Sequence, residues 1–270
     1  MGVSFVKNDA YDLPDSLYDF AQIPDFPGVI SHLSNIAEKE DWTYHNTPNT
    51  YKSGLPVLEN YINNTYRRIA TEKKFSFSSD NKYACFDTGL MSQPHNEPIY
   101  MLFHMNINPN IDCYWHYNKF FRRGEHDATK FQKLPEMAFY WDDASKLVYD
   151  TRKELTVNIE HIISDHKERF PAPYNTMPDY NLKMYIDGCI NASKERIKRN
   201  YKVAVPQYFL TMGTIQLLIP LCLNNPNIAD IAIVVEDYGT LYRASTGLTL
   251  DMAINNARLL ARPDRDWLNP

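Results

Sequence analysis

Apolar residues recur at helical spacing most clearly at Leu58, Tyr61, Ile62, Tyr66 and Ile69, which predicts a helix over 55–73. Shorter helices are expected at 29–40, carrying Val29, Ile30, Leu33 and Ile36, and at 157–169. A long one is expected at 180–200, with the stripe Leu182, Ile186, Cys189 and Ile197. Elsewhere aromatic and β-branched runs predict strands over Lys74–Ser79, Tyr83–Leu90, Pro98–Met105 and Ile111–Phe121, joined by turns at Ser79-Asp80-Asn81 and Asn106–Asn110. The last third reads as four strands, Val203–Leu210, Thr214–Leu223, Ala229–Glu236 and Leu241–Thr246. Short turns bearing Gly and Asn connect them, so consecutive strands pair antiparallel. Thr249 then caps a helix running from Leu250 to about Ala261, stopped by Pro263. The fold class is α+β: antiparallel sheets with packed helices, and a C-terminal four-stranded meander closed by a helix.

The remaining stretches are irregular. Residues 8–28, rich in Asp and Pro, read as a strap on the body; Trp42–Gly54 reads as a polar loop; 124–155 read as irregular with short helical turns. The chain is expected to form a single domain over 1–270. Its best internal boundary is the Pro-rich stretch at 170–179, between an α+β part (1–170) and a helix–meander–helix part (180–270).

Composition narrows the function little. The chain has 270 residues, 44% hydrophobic and 23% charged, as ordinary globular domains do. Its formal charge of -5 argues against a generic polyanion binder but leaves room for a local basic cleft. Nineteen Tyr and thirteen Phe suit core edges, cleft walls and interfaces. Cys85, Cys113, Cys189 and Cys222 form no CxxC pair and read as buried free thiols of a reducing compartment, so a cytoplasmic location is expected. No apolar run reaches the length of a membrane span, and no basic-then-apolar signal peptide is seen. The opening Met1-Gly2-Val3-Ser4-Phe5-Val6 has the glycine of a myristoylation signal without the Ser or Thr expected at position 6.

The long helix carries the most informative chemistry. On a wheel of about 100° per residue, Lys194 and Lys198 fall opposite the apolar stripe, Arg196 falls within it and Arg199 on its flank. Lys202 follows at the start of the next strand. A cation on a buried face is costly unless it is paired or faces an anion. Arg196, Arg199 and Lys202 therefore suggest a phosphate site, against the plainer reading of an ion pair. On the closing helix Asp251, Asn255, Arg258 and Arg262 form one polar stripe, either solvated or functional, and Asn256 lies off it. Strand alternation puts Gln207 and Gln216 on otherwise apolar faces. Glu236 ends an apolar strand, where it suits a metal or a base, or simply a pair with Arg243 across the hairpin.

Other signals are thinner. Lys119, Arg122 and Arg123 follow Tyr114, Trp115 and Tyr117, an interleaving that suits stacked single-stranded bases. The eight histidines show no zinc spacing, although His104 and His116 lie in strands that could be neighbours. His161 sits in a helix beside Asn158 and Asp165. The chain has no phosphate-binding glycine loop, Rossmann fingerprint, nucleophile elbow or lysine motif for covalent nucleotidyl transfer.

Several stretches resemble the family called domain of unknown function 3825: Leu17–Ala21, Ala84–Leu90, Arg199–Gln207, Ile215–Leu223 and Leu248–Trp267. The resemblance covers nearly the whole chain. It implies an RNA-associated module, often joined to RNA-binding or nuclease-like domains in longer proteins, and it carries no established catalytic residues. With the cations above, the leading expectation is an RNA-end-processing enzyme acting by phosphoryl or nucleotidyl transfer, as in repair or ligation. The catalytic candidates are Lys202, His161 (or His104) and Glu236. The phosphate- or RNA-binding candidates are Arg196, Arg199, Arg243, Arg258, Gln207, Gln216 and Asn256. Mg2+ is expected on Glu236 or Asp251. The alternatives are a non-catalytic RNA-binding module and an enzyme of a small phosphorylated metabolite.

Overall fold

Pro56 opens the best-marked helix, α3 (Pro56–Glu72), where its missing N–H costs nothing and its fixed φ favours the first turn. Lys73 closes it in the left-handed conformation, its N–H donating to Ala70 O and the N–H of Lys74 to Ile69 O. The computed structural model describes residues 9–45, 50–108 and 110–262. The Met1–Val6 signal reading and the Pro263 stop lie outside them, as do parts of the Trp42–Gly54 and Asn106–Asn110 connections. The chain divides into two compact units, one of Met1–Thr43 with Asn49–Phe139 and the other of Tyr44–Pro48 with Tyr140–Pro270. The division falls between Phe139 and Tyr140, whereas the Pro-rich 170–179 stretch runs inside the second unit.

In the first unit the 8–28 strap contains a short helix α1 (Leu17–Phe20), a two-residue strand β1 (Ala21–Gln22) and the start of α2 (Phe26–Ile36). The other strands are β2 (Ser76–Phe77), β3 (Tyr83–Met91), β4 (Pro98–Met105) and β5 (Trp115–Arg122). They form a sheet of order β1-β5-β4-β3-β2, antiparallel except for the parallel β1–β5 pair. The aromatic richness resolves into packed rings. Phe20 lies edge-on to Phe103 with 5.2 Å between the centroids, and Phe86 and Phe103 stack at 6.0 Å. The opposite face carries a second cluster of Cys85, Tyr100, Leu102, Phe121 and Phe131.

The second unit holds β6 (Glu154–Val157), α4 (Ile159–His166), α5 (Asp179–Arg199), β7 (Val205–Phe209), β8 (Thr214–Leu221), β9 (Ile231–Asp237), β10 (Leu241–Leu248) and α6 (Leu250–Ala257). The meander β7–β10 forms as expected, but β6 adds a fifth strand parallel to β10, giving the order β6-β10-β9-β8-β7. Helix α5 buries Leu182, Ile186, Ile190 and Ile197 against Leu217, Ile219, Ile233 and Val235. Each such side chain contributes roughly 1.5–3 kcal/mol. Helix α6 packs mainly against β7, and Thr249 caps it by accepting from the Met252 N–H.

Candidate functional site

Pairing in the second sheet makes Cα partners of Gln207 and Gln216, of Glu236 and Arg243, and of Arg243 and Thr156, and Gln216 and Glu236 each adjoin the Leu217–Val235 pair, so the five form a row across the sheet. Leu217, Ile219 and Val235 face the core, so these polar residues alternate to the other face. Three of them are joined by hydrogen bonds. The Asn256 amide on α6 donates to Gln207 Oε1 at 3.2 Å, Gln207 Nε2 donates to Gln216 Oε1 at 2.8 Å, and Gln216 Nε2 donates to Glu236 Oε1 at 3.0 Å. The Tyr238 hydroxyl donates to the other carboxylate oxygen at 3.1 Å. A carboxylate only accepts, so Glu236 dictates the orientation of each amide back to Asn256. Gln207 and Gln216 are buried, Glu236 is half-buried and Arg243 is exposed. Glu236 thus receives Gln216 and Tyr238, and the expected contact with Arg243 does not form.

The cations of α5 have other work. The Arg196 guanidinium donates to the backbone oxygen of Pro226 in the β8–β9 turn and approaches Cys222 Sγ at 3.5 Å. A carbonyl oxygen, rather than a carboxylate or an open cleft, satisfies the cation that falls on the apolar arc. Arg199 is exposed and pairs with Glu195 at 2.8 Å. Together with Lys198, it holds the Glu195 carboxyl down at about 2. Lys202 is exposed in the turn Tyr201–Val203 and precedes the strand instead of opening it. Arg196 and Arg199 are thus each engaged by oxygens of the chain itself. His161 lies on the exposed side of α4, 3.2 Å from Asp165, while Ile162 of that helix packs into the core. It is therefore on the opposite side of the sheet from Glu236.

Helix α6 departs from its wheel reading. Asp251 is buried and Asn255 donates its amide to the Tyr44 hydroxyl at 2.6 Å, so the start of the polar stripe is covered, whereas Arg262 at its end is exposed. Arg258 is half-buried. Among the described residues, no three His, Cys, Asp or Glu side chains converge on a metal position, and Glu236 and Asp251 do not form such a group.

The second unit also contains a cleft of about 420 Å3, within the range of small-molecule sites. Tyr140, Ile215, Leu217, Val235 and Tyr242 supply its aromatic and aliphatic lining, and Asp142, Lys146 and Asp237 its charges. Tyr242 is fixed from three sides: Tyr149 stacks on it at 4.5 Å, its hydroxyl accepts from the Asp150 N–H, and Lys153 Nζ lies 5.0 Å from the ring centroid. Lys153 also binds Asp237 at 2.7 Å, and this bond raises its pKa above the ordinary lysine value. Asp142 and Lys146 form a looser 3.6 Å pair with both side chains at least half exposed. Such a pair contributes little to stability, which leaves the Lys146 ammonium available to a ligand. The glycine turns at Gly213 and Gly239 that bound this cleft are visible in the sequence. Tyr140 and Lys146 sit in a stretch without periodicity and carry no sequence signal.

Comparison with characterised proteins and with solved structures finds no match. A family model does match, over residues 33–267, and by it the chain belongs to the family described as a domain of unknown function (DUF3825).

Proposed function

We propose that this protein recognises RNA ends and processes them by phosphoryl or nucleotidyl transfer, with the terminal nucleotide seated in the cleft of the second unit. The observation that carries the reading is the combination of an aromatic and aliphatic lining in about 420 Å3 with a lysine at the rim. A base stacks on such a lining and its phosphate meets the ammonium. In this reading Lys146 is the first phosphate contact and Asp142 and Asp237 are the carboxylates at hand, while Glu236 and Arg243, on the other face of the sheet, stand outside the cleft. Mg2+, which needs few protein ligands, would be carried mainly by the phosphates of the RNA with one carboxylate. Four free cysteines accord with a reducing compartment, and we place the protein in the cytoplasm. Among the described residues no helix is long and apolar enough to cross a membrane.

A second reading is a non-catalytic RNA-binding module. It is favoured by Arg196 and Arg199, whose guanidinium groups are engaged by the chain's own oxygens and supply no ready clamp for a transferring phosphoryl group.

End-labelled RNAs with 5′ hydroxyl, monophosphate or triphosphate, incubated with the protein with and without Mg2+ and ATP, separate the two. A product from one of these ends, lost in Lys146→Ala, is the expected result. Salt-dependent binding without any product selects the binding module. Absence of RNA binding overturns both, and binding of a mononucleotide alone points to a small phosphorylated metabolite.

A further inference from the structure

His104 on β4 and His116 on β5 are Cα partners in the first unit's sheet, with ring centroids 4.9 Å apart. The face they share is not a product of simple alternation. Leu102 pairs with Lys119 but Phe103 with Tyr117, so Asn118 is an extra residue on β5. That bulge resets the alternation and brings His116 round to the side of His104, a common use of bulges. Both rings are half-buried.

The nitrogens are poised differently. His116 Nδ1 lies 2.7 Å from the Tyr117 carbonyl oxygen. A carbonyl only accepts, so Nδ1 carries the hydrogen and Nε2 is the nitrogen left for a metal. A backbone carbonyl in this position is the usual outer partner of a metal-bound imidazole. His104 Nδ1 is buried and has no hydrogen-bond partner. A buried nitrogen left in this state is unfavourable unless something takes up its lone pair.

We propose that His104 and His116 bind one late first-row divalent cation, Zn2+ or Cu2+, through one ring nitrogen each. Two imidazoles meeting on an ion at about 2.0–2.1 Å have centroids roughly 5 Å apart, which matches the observed separation. Imidazole nitrogens select these ions over Mg2+. Among the described residues no third His, Cys, Asp or Glu joins the pair, so the remaining coordination positions are open to water or to a ligand donor. This site lies in the first unit and does not depend on the RNA reading.

The test is titration of the metal-free chain with Cu2+, Zn2+ and Mg2+ by calorimetry, with electron paramagnetic resonance of the Cu2+ form. We expect one Cu2+ or Zn2+ per chain, Cu2+ the tighter, no Mg2+ at this site, and two coordinated imidazole nitrogens in the spectrum. His104→Ala or His116→Ala should each weaken Zn2+ binding by about ten-fold or more. His161→Ala/His166→Ala, which removes a second histidine ring pair at 6.2 Å, should leave it unchanged. Absence of binding, binding undiminished in the His104→Ala/His116→Ala variant, or a spectrum without two imidazoles overturns the proposal. The spectrum of the unmodified chain decides the matter even if the variants fail to fold.

Discussion

Gln207 donates its side-chain amide to the Gln216 side-chain oxygen at 2.8 Å across adjacent strands, with both side chains buried. Because Gln216 in turn donates to Glu236, removing it alone leaves a buried donor on one side and an acceptor on the other. Gln216→Leu should cost about 1–3 kcal/mol in chemical denaturation. The Gln207→Leu/Gln216→Leu double variant should cost less than the sum of the two single changes, because the orphaned pair is removed together. Strict additivity would show that the two amides are not coupled.

Asp87 makes stability depend on pH. It is buried, and burial raises its pKa from the ordinary 3.8 to about 6, although the Gly89 N–H donates to its carboxylate. The folded protein therefore holds the proton more tightly than the unfolded chain. Stability from this residue is fully present below the unfolded value of 3.8 and is lost as pH rises through about 6. The loss amounts to at most about 3 kcal/mol. Asp87→Asn should raise the melting temperature at pH 7 more than at pH 4. An equal shift at both pH values would rule out this origin.

Two glycines with φ of +73° separate backbone strain from collision. An added Cβ at Gly89 would lie 2.5 Å from the Tyr61 hydroxyl, whereas at Gly54 it meets nothing within 4 Å. Gly54→Ala should cost about 1 kcal/mol for the left-handed backbone alone. Gly89→Ala should cost more, about 2–4 kcal/mol, because buried Tyr61 must also move. Equal melting temperatures for the two variants would contradict this.

Lys146 and Arg196 should behave oppositely in RNA-binding titrations. Lys146→Ala is expected to weaken binding across sequences and to reduce the salt slope by about 1. Arg196→Ala should leave affinity unchanged and lower stability by about 1–2 kcal/mol, through loss of its bond to the Pro226 oxygen. A large affinity loss in Arg196→Ala would return it to the phosphate site.

Legibility followed the range of the physics. Helix α3 lies where helical periodicity puts it, because burial of one face imprints a period on the residues themselves, and strand β4 lies where a run of apolar and aromatic residues puts it, because it is buried on both faces. Strand β6 was hidden in a stretch read as irregular running into a helix, since four residues partnered by a distant parallel strand leave no local pattern. Gln207, Gln216 and Asn256 stood out as polar residues on apolar faces, and the structure joins them to one another. Arg196 stood out for the same reason, yet its partner is a backbone carbonyl, which every residue carries and no sequence marks.

The sequence by itself determined the α+β class, the meander closed by a helix, the family, and which polar residues sit on apolar faces. The family rests on the matching stretches of sequence; the others depend on alternation and helical period, which each segment carries alone. Tertiary structure alone decided that Glu236 is bonded by Gln216 and Tyr238 instead of Arg243, that the α5 cations serve their own chain, that a cleft forms around Tyr140 and Tyr242, and that a one-residue bulge sets His116 beside His104. Each of these depends on register and on distant partners, where a shift of one residue changes the face that every side chain occupies.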